Sequence, residues 1–480
     1  MAAMLGSGYL LQRALPPVTM KTILWIRNTL RLDDNPALLL AARSEWLLPL
    51  FIHDTRLNRQ TGFMAARIGP YRRQFINESL EDLRLSLIAH GSNLMVLEGD
   101  PVTLIRDLAR QYQADRVIVD QHPGPEEARQ LYRLRTAIQQ TVIEEIECNG
   151  LCPESALPFD LAELPVVFSA FRRKMEREPE PDRPLAPPAQ LPAMPPEAVK
   201  DRYVASASNS NRSDWPRGGE TAALQHLDNY IFQQQHIRHY KDTRNGLLEP
   251  SDSSRFSPWL AQGAISVRRL WHSIRDFQRQ HGRDEQSDWL LVELLWREFF
   301  RWTLQRYGSA LFLAGGLKSK TSDTQAFSES QLRAWQQGST GMPLIDACMQ
   351  ELSATGFLSN RGRQNAASFL IHDLGIHWRY GAAWFEQQLI DYDAASNWGN
   401  WAYIAGVGND PRPLRRFNIL SQAQHYDPEE AYVSHWLPAL HKLPVGRRHS
   451  CFLEPDNPHH PLVIPPPETW QPYFPAKAKP

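Results

Sequence analysis

Five short apolar runs alternate with stretches of helical periodicity between residues 21 and 147. Strands that alternate with helices pair in parallel through right-handed crossovers. This part of the chain therefore predicts a doubly wound, five-stranded parallel sheet in an α/β domain. The runs are TILWIR (22–27), WLLPLFI (46–52), NLMVLEG (93–99), RVIVD (116–120) and VIEEIE (142–147), with helical patterns at 35–43, 68–90, 102–113 and 126–140.

The glycine pattern G-x-G-x-x-G is absent after the first apolar run. In dinucleotide-binding sheets that pattern lets the backbone approach a pyrophosphate at a helix N-terminus. Its absence disfavours a nicotinamide oxidoreductase built on this sheet.

The second half of the chain carries a different pattern. From Gly218 to about Trp436 strand-like runs are almost absent and amphipathic patterns dominate, which predicts a large all-helical domain. The proline-dense segment at 179–197 favours an extended, stiff connection between the halves. We expect an N-terminal extension at 1–19, an α/β domain at 20–152, a linker at 153–215, a helical domain at 216–440 and an irregular tail at 441–480.

Neither end of the chain predicts a ligand site. Residues 1–19 are interpreted as an upstream-start or disordered extension, with a weak targeting segment as the alternative, because Met20 directly precedes the first strand. His459 and His460 are interpreted as part of a solvated tail rather than as metal ligands.

Composition excludes several classes of protein. The chain of 480 residues is long enough for two or more domains, and it has no apolar run long enough to span a membrane. Lysine and arginine total 52 against 53 acidic residues, so binding of nucleic acid requires a local basic patch. Four cysteines without a paired C-x-x-C favour a reducing cytoplasm and no bound metal.

The stretch Asp391–Asn418 combines acids, indoles, glycines and arginines within one segment. Such a mixture suits a site where the backbone, a planar ligand and a phosphate meet, and it equally suits an aromatic-rich loop between core helices. The residues concerned are Asp391, Asp393, Trp398, Gly399, Trp401, Tyr403, Gly406, Gly408, Arg412, Arg415 and Arg416.

This stretch resembles the flavin-facing segment of the photolyase/cryptochrome family, and most closely that of its DASH branch. The hallmark there reads DYD…SNYGNW…GVGNDPR…RFN, and this chain has Trp398 where the pattern has tyrosine. WIRNTLRLDDNP (25–36) resembles the opening motif of the family, whose arginines and Asp34 are expected to hold the interdomain packing. The resemblance covers about residues 20–440, includes a DASH-like helix at 164–178, and implies FAD in the helical domain.

A serine cluster precedes a helical pattern near residue 257. Hydroxyls and free backbone N–H groups at a helix start suit a diphosphate, and the alternative is an ordinary N-cap cluster. The resemblance implies that this segment binds the FAD phosphates, with Tyr240 as an upstream contact. The residues are Ser253, Ser254, Arg255, Phe256 and Ser257.

Glu293 and Arg297 are four residues apart and share a helix face, so they are expected to pair in an apolar setting. By resemblance, Glu293 and Arg297 belong to the flavin site, and Glu293 also faces a DNA lesion. Trp296 is then expected to pack against the damaged bases.

A third segment, 355–381, supplies polar side chains within one helical turn. The resemblance implies that Arg363 pairs with Asp391 beside the isoalloxazine and that Arg361 contacts a DNA phosphate. Asn360 and Gln364 stand where (6-4) photolyases have two histidines that transfer protons. An amide pair there argues against (6-4) repair and suits a cyclobutane dimer.

The resemblance also implies roles for residues in the stretch Asp391–Asn418 and for aromatic residues that precede it. Asp391 and Asp393 are expected to contact the flavin ring, and Asn397 to face flavin N5. Trp401 corresponds to the indole nearest the flavin and Trp378 to the next one out. A third tryptophan is expected within 321–330, which contains only Phe327, so Trp335 or another indole would have to substitute.

A second, antenna chromophore stays open. DASH proteins carry a Lys-Glu pair that contacts a folate after the fourth strand, whereas this chain has His122 at the Glu position, with Glu126 and Glu127 as alternatives. Methenyltetrahydrofolate, a deazaflavin and no antenna are all compatible with the sequence.

The sequence therefore predicts a DASH-type photolyase that repairs cyclobutane pyrimidine dimers. The expected partner is UV-damaged DNA, preferably single-stranded, with Tyr403 and Arg415 among the contacts. We expect a cytoplasmic monomer. The alternative is a blue-light photoreceptor with little turnover. Such receptors usually carry a long C-terminal extension, whereas only about 40 residues follow Leu440 here, so the alternative is disfavoured.

Overall fold

The computed structural model describes residues 20–198, 216–318, 327–409 and 415–474. Its first part is a five-stranded, all-parallel sheet with the strand order β3-β2-β1-β4-β5. The predicted sheet is confirmed, and so is its alternation with helices. The strands are β1 (Lys21–Ile26), β2 (Trp46–Asp54), β3 (Met95–Gly99), β4 (Arg116–Asp120) and β5 (Val142–Ile146).

Four helices cover the two faces of the sheet, and each of them begins with a proline. Proline suits the first helical position, because its fixed φ is already helical and its missing N–H would have no partner there. Successive residues of β1 alternate between two buried clusters, with Ile23 on one face and Leu24 on the other. The helices are α1 (Pro36–Ala41), α2 (Pro70–Ala89), α3 (Pro101–Gln111) and α4 (Pro125–Ala137).

The second part is helical, as predicted, and the structure shows no strand in its described residues from 216 onward. The 23-residue helix α10 runs through it and contacts several of its neighbours. The helices are α5 (Phe168–Met175), α6 (Glu220–Leu227), α7 (Tyr240–Thr243), α8 (Ser257–Gln262), α9 (Val267–His281), α10 (Glu285–Tyr307), α11 (Glu329–Gln337), α12 (Pro343–Thr355), α13 (Asn360–Ser368), α14 (Trp378–Gln388), α15 (Ala394–Ile404), α16 (Ile419–Tyr426) and α17 (Ala431–Trp436).

Buried polar groups join the sheet to the helical part. Arg31 is 1% exposed and donates to the carbonyls of Gly263, at 2.9 Å, and Cys148, at 2.6 Å. Asp34 is fully buried and forms an ion pair with Arg268 at 2.5 Å. A buried charge is tolerated only when it is paired or hydrogen-bonded, so these contacts fix the orientation of the two parts. The interdomain packing expected for the 25–36 motif is confirmed.

The connection and the tail are more ordered than the sequence indicated. In the connection, Phe171 of α5 is fully buried. In the tail, 3₁₀ turns bury Cys451 and Trp470. His459 Nε2 lies 2.6 Å from Asp346, and the His459 side chain is only 8% exposed. The expectation of a solvated tail was therefore wrong for His459, whereas His460 is exposed. Residues 1–19 lie outside the described part of the chain.

Candidate functional site

A cavity of about 510 Å³ opens in the helical part, between α8, α10, α13, α14 and α15. This volume is ordinary for a cofactor site. Two predicted site residues, Trp378 and Arg361, lie outside its lining. The predicted residues that line it are Tyr240, Ser253, Ser254, Arg255, Phe256, Ser257, Glu293, Trp296, Arg297, Asn360, Arg363, Gln364, Asp391, Asp393, Asn397, Trp401, Tyr403 and Arg415.

A polar cluster at one wall joins α8 and α13 to the loop between α14 and α15. Asp391 Oδ2 accepts hydrogen bonds from Ser257 Oγ at 2.6 Å and from Arg363 Nη2 at 2.7 Å. Arg363 Nε also donates to the Leu358 carbonyl at 2.8 Å, which fixes the guanidinium. Asp391 is only 7% exposed, and its Oδ1 has no partner among the described residues. That oxygen is an acceptor left for a ligand N–H, because an unpaired buried carboxylate oxygen is costly.

The serine segment does not cap its helix. Phe256 is the N-cap of α8 and makes no side-chain cap bond, while the Ser257 hydroxyl binds Asp391. The N-cap alternative is therefore wrong. The helix is only six residues long, so its dipole contributes less than the sequence suggested. Arg255 adopts the left-handed conformation with φ of 49°, which bends the segment as it enters the cavity.

Two polar side chains are fixed at the start of α15. Asp393 is the N-cap and accepts the Ser396 N–H at 2.7 Å. Asn397 is 8% exposed and donates Nδ2 to the Ala382 carbonyl at 3.0 Å. Because a carbonyl only accepts, this bond settles the orientation of the amide, and its oxygen remains as the acceptor.

The indoles form a cluster between α14 and α15. Trp401 is 3% exposed, and a Cβ on Gly381 would overlap its ring. Trp378 lies one turn before Gly381 on α14, and its indole N–H donates to the Ala314 carbonyl at 3.1 Å. Trp335 meets Trp401 edge-to-face, with the ring centroids 6.1 Å apart. Phe327 stacks on Tyr380, and positions 321–326 of the segment expected to supply a third tryptophan lie outside the described residues.

Glu293 has different partners from the one predicted. Its Oε1 forms an ion pair with Arg244 and accepts a hydrogen bond from Trp289 Nε1 at 3.0 Å. Burial raises the pKa of Glu293, and the Arg244 guanidinium opposes that rise. Arg297 instead donates to the Asn149 carbonyl at 2.9 Å and to Glu298 at 3.0 Å. The expected Glu293–Arg297 pair was therefore wrong. Arg244 pairs with Glu293, and Arg297 points to Asn149 and Glu298 instead.

Trp296 is supported by an aromatic ring from the connection. Phe168 of α5 stacks on it, with the centroids 3.7 Å apart and the planes 12° from parallel. Tyr403 meets Trp296 edge-to-face at 6.1 Å. Phe168 and Tyr403 therefore cover part of the Trp296 ring, and Trp296 also lines the cavity.

Cationic side chains lie over aromatic rings near the cavity. Arg361 is 4.5 Å from the Tyr426 ring and donates to Asn245 at 3.1 Å. Arg415 is 4.3 Å from the Tyr403 ring and bonds the Tyr403 hydroxyl. Arg244 lies 5.3 Å from the Trp289 ring. These contacts hold the guanidinium groups in place, so they would lose less conformational entropy on binding an anion. We call Arg244, Arg361 and Arg415 the basic rim.

Comparison with known proteins agrees with this architecture. Residues 22–193 match the family model described as DNA photolyase, and residues 289–463 match the FAD binding domain of DNA photolyase. The chain is 42% identical over 426 residues to a cryptochrome DASH of Idiomarina loihiensis, which covers 87% of this chain and 93% of that protein. The chain belongs to the photolyase/cryptochrome family. Its relatives include several proteins named cryptochrome DASH, so the predicted resemblance is confirmed.

Solved structures of the family share this fold. The structure of a Synechocystis cryptochrome has a TM-score of 0.85 and 35% identity, and covers 95% of this chain and 98% of its own. A photolyase from Sulfolobus tokodaii has a TM-score of 0.75 and 25% identity, covers 93% of this chain and 96% of its own, and is described with two FAD molecules.

The cavity residues fit the FAD of a photolyase/cryptochrome protein. The unpartnered Asp391 Oδ1 supplies an acceptor, and the serine segment supplies hydroxyl donors beside Arg255. FAD as the cofactor agrees with the matched FAD-binding domain. The role of each individual residue stays a prediction.

The expected antenna residues already have protein partners. His122 Nδ1 lies 3.4 Å from Glu127, whose carboxylate raises the pKa of His122 although burial opposes the rise. Glu126 forms an ion pair with Arg67. An antenna chromophore at this position would have to compete with these contacts, so its presence and identity stay open.

Three residues near the site were missed by the sequence reasoning: Arg244, Trp289 and Phe168. Arg244 lies four residues after Tyr240, so helical spacing was a usable signal for it. Trp289 lies four residues before Glu293 on the same helix face. Phe168 gave no local signal, because its contact with Trp296 is made across distant parts of the chain.

In the ranges that the structure describes, no helix is long and apolar enough to cross a bilayer. In those ranges, His, Cys, Asp and Glu side chains also form no group of three or more that could hold a metal ion.

Proposed function

We propose that this protein splits cyclobutane pyrimidine dimers in DNA, driven by light and by an electron from reduced FAD. The main support is that one cavity is lined both by the Asp391–Arg363 pair and by Glu293 and Trp296. In this proposal the flavin lies beside the first pair, and the lesion lies beside Glu293 and Trp296. When bound and reduced, FAD supplies the light absorption and the electron. The chain supplies geometry, electrostatics and exclusion of water.

The amide pair on α13 supports this choice of lesion. Asn360 and Gln364 are one turn apart, and both line the cavity. Amide groups donate and accept hydrogen bonds, but they do not deliver a proton as an imidazolium does. Splitting of a cyclobutane dimer requires an electron and no positioned acid, whereas (6-4) repair requires proton transfer.

Glu293 is the group that we assign to the lesion. It is held by Arg244 and Trp289, and burial raises its pKa, which favours a carboxyl that donates a hydrogen bond. A carboxyl there hydrogen-bonds a thymine carbonyl or N–H and stabilises negative charge as it develops on the dimer. Asn397, fixed by Ala382, presents its amide oxygen on the flavin side.

The surroundings of the cavity supply DNA binding. The basic rim contacts backbone phosphates, and Trp296 and Tyr403 supply ring surfaces for extruded bases. Extrusion from a duplex costs a few kcal/mol, so single-stranded DNA is the preferred substrate.

The test uses two short single-stranded oligonucleotides, one with a cyclobutane thymine dimer and one with a (6-4) photoproduct. Protein with chemically reduced FAD is illuminated with each and compared with a dark sample. We expect restoration of the cyclobutane substrate in the light only, and none of the (6-4) substrate. Failure on both would favour the photoreceptor alternative.

A further inference from the structure

Trp398 is a buried indole whose N–H faces a carboxylate. The side chain is 6% exposed and lies three residues before Trp401 on α15. Its Nε1 donates to Glu386 Oε2 at 3.2 Å and to the Tyr392 hydroxyl at 3.2 Å. Its ring meets Trp378 edge-to-face, with centroids 5.7 Å apart and planes at 77°. Trp398 therefore touches an indole on one side and a base on the other.

Glu386 is a buried hydrogen-bond acceptor. It is 4% exposed, and its Oε1 accepts from Arg67 Nε at 2.7 Å. Arg67 also pairs with Glu126, whose side chain is 47% exposed, so the ion-pair chain runs from the buried site to solvent. Oε2 of Glu386 is the atom that faces Trp398. This separation lies at the edge of the range for direct proton transfer, about 2.6–3.2 Å.

The neighbouring aromatic residues differ from Trp398 in this respect. The Trp378 N–H donates to the Ala314 carbonyl and the Trp335 N–H to the Ala366 carbonyl, and a backbone carbonyl is no base for a proton. Trp335 contacts Trp401, and its ring lies in the fully buried core. Phe327, in the segment where a third indole was expected, is much harder to oxidise than an indole.

We propose that Trp398 is the third electron donor after Trp401 and Trp378, and that Glu386 is the base that accepts its N–H proton. The inference rests on the FAD site of the proposed function. Bound FAD, when oxidised and excited by light, would supply the one-electron oxidant, and Trp401 would be the first residue to give up an electron. Trp378 then transfers one electron to oxidised Trp401, and Trp398 transfers one electron to oxidised Trp378.

In the last step, the oxidised Trp398 side chain loses its N–H proton. One-electron-oxidised Trp398 breaks its N–H bond, and the proton forms an O–H bond on Glu386 Oε2. The products on the protein are a neutral tryptophan radical and a neutral carboxyl. An external thiolate supplies one electron and becomes a thiyl radical, and Glu386 returns its proton to Trp398 Nε1, which restores the indole and the carboxylate. The neutral radical lacks the positive charge that would draw the electron back, so the charge separation lasts longer.

The test is transient absorption after a blue flash on the full-length protein with bound oxidised FAD and no DNA. In the parent we expect the spectrum of a neutral tryptophan radical. Trp398→Phe should remove the long-lived neutral-radical signal, because the indole whose N–H faces the Glu386 carboxylate is gone. Glu386→Gln keeps the side-chain shape and all three indoles, and should leave the radical in its cationic form with a shorter lifetime, because the group that accepts the proton is lost.

Trp335→Phe is the matched control, because it removes an indole in contact with Trp401 whose N–H faces no carboxylate. We expect it to keep the parent's neutral-radical signal. An unchanged neutral-radical yield in Trp398→Phe, or an unchanged rate of neutral-radical formation in Glu386→Gln, would overturn the inference. The Glu386→Gln result decides the matter even if Trp398→Phe loses FAD. Because no DNA is used, absence of dimer splitting counts against the proposed repair and leaves this test intact.

Discussion

At the scale of single residues, the site is defined by carboxylates whose partners differ in kind. Asp391 is held by one arginine and one hydroxyl with an oxygen left over, whereas Glu293 is held by an arginine and an indole N–H. The first arrangement leaves an acceptor oxygen without a partner among the described residues, and in the second burial raises the pKa of the carboxyl while the arginine opposes the rise. In the proposed function, the first setting serves cofactor binding and the second contacts the lesion.

Asp391→Asn should lower the amount of FAD that copurifies by at least about tenfold, because a charged hydrogen-bond pair is worth roughly 1.5–3 kcal/mol. The measurement is the ratio of flavin to protein absorbance. Asp373→Asn is the control, because Asp373 pairs with Arg416 at the same 2.7 Å and lies outside the cavity lining. Equal FAD loss in both variants would contradict the assigned role of Asp391.

Glu351 makes stability depend on pH. Burial raises its pKa from 4.5 to about 7, although the Tyr432 hydroxyl donates to it at 2.5 Å. The folded state therefore binds more protons than the unfolded chain in this window, and the free energy of unfolding falls as pH rises from about 4.5 to about 7. The loss should be on the order of 3 kcal/mol or less. Denaturant unfolding at both ends of the window should show the decline in the parent and a smaller one in Glu351→Gln. Parallel declines would rule out Glu351 as the cause.

At the scale of elements, α10, α14 and α15 position the chemistry. Helix α10 presents Glu293 to the cavity, while Arg297 on the same helix reaches the Asn149 carbonyl beyond the sheet. Helices α14 and α15 pack closely where Gly381 meets the Trp401 ring. The ring position thus depends on the absence of a side chain on the neighbouring helix.

Gly381→Ala tests this close packing. A Cβ there would overlap the Trp401 ring and crowd Leu370, so we expect a loss of about 1–3 kcal/mol in the free energy of unfolding. Denaturant unfolding measures the loss. Gly62→Ala is the control, because nothing lies within 4 Å of its Cβ position. A Gly381→Ala protein as stable as the control variant would show that the helices do not pack as described.

Elements were easier to predict from the sequence than contacts between them. β4 was predicted at its observed bounds, because a buried parallel strand is an uninterrupted apolar run. Helix spacing correctly predicted that Asn360 and Gln364 share one helix face. It also predicted Arg297 as the partner of Glu293, whereas the partner is Arg244, the residue that follows α7. The Phe168–Trp296 stack and the buried His459 were not predictable, because tertiary packing determines both and neither leaves a local pattern.

At the scale of the whole molecule, charge is nearly balanced, and the net charge is -1. In the proposed function, attraction to DNA therefore comes from the basic rim rather than from the overall field. The sheet supports the cavity through Arg31 and the Asp34–Arg268 pair, without supplying residues to its lining.

Reversing charge at the rim should weaken DNA binding in a salt-dependent way. For Arg361→Glu and for Arg415→Glu, we expect lower affinity and a salt slope flattened by about one unit per lost phosphate contact. Binding to a labelled damaged oligonucleotide is measured across a salt series. Arg333→Glu is the control, since Arg333 is an exposed residue of α11 paired with Glu329. Unchanged affinity and slope in both rim variants would remove the rim from the interface.

The quantum yield of dimer splitting, normalised to bound FAD, tests the repair proposal most directly. Parent protein and Glu293→Gln are reduced, mixed with single-stranded thymine-dimer DNA and illuminated. We predict splitting by the parent, and a clear loss of splitting per absorbed photon in Glu293→Gln at normal FAD content and at an affinity within roughly tenfold of the parent. A variant with the parent's yield would make Glu293 merely a partner of Arg244, and no splitting by the parent itself would contradict repair.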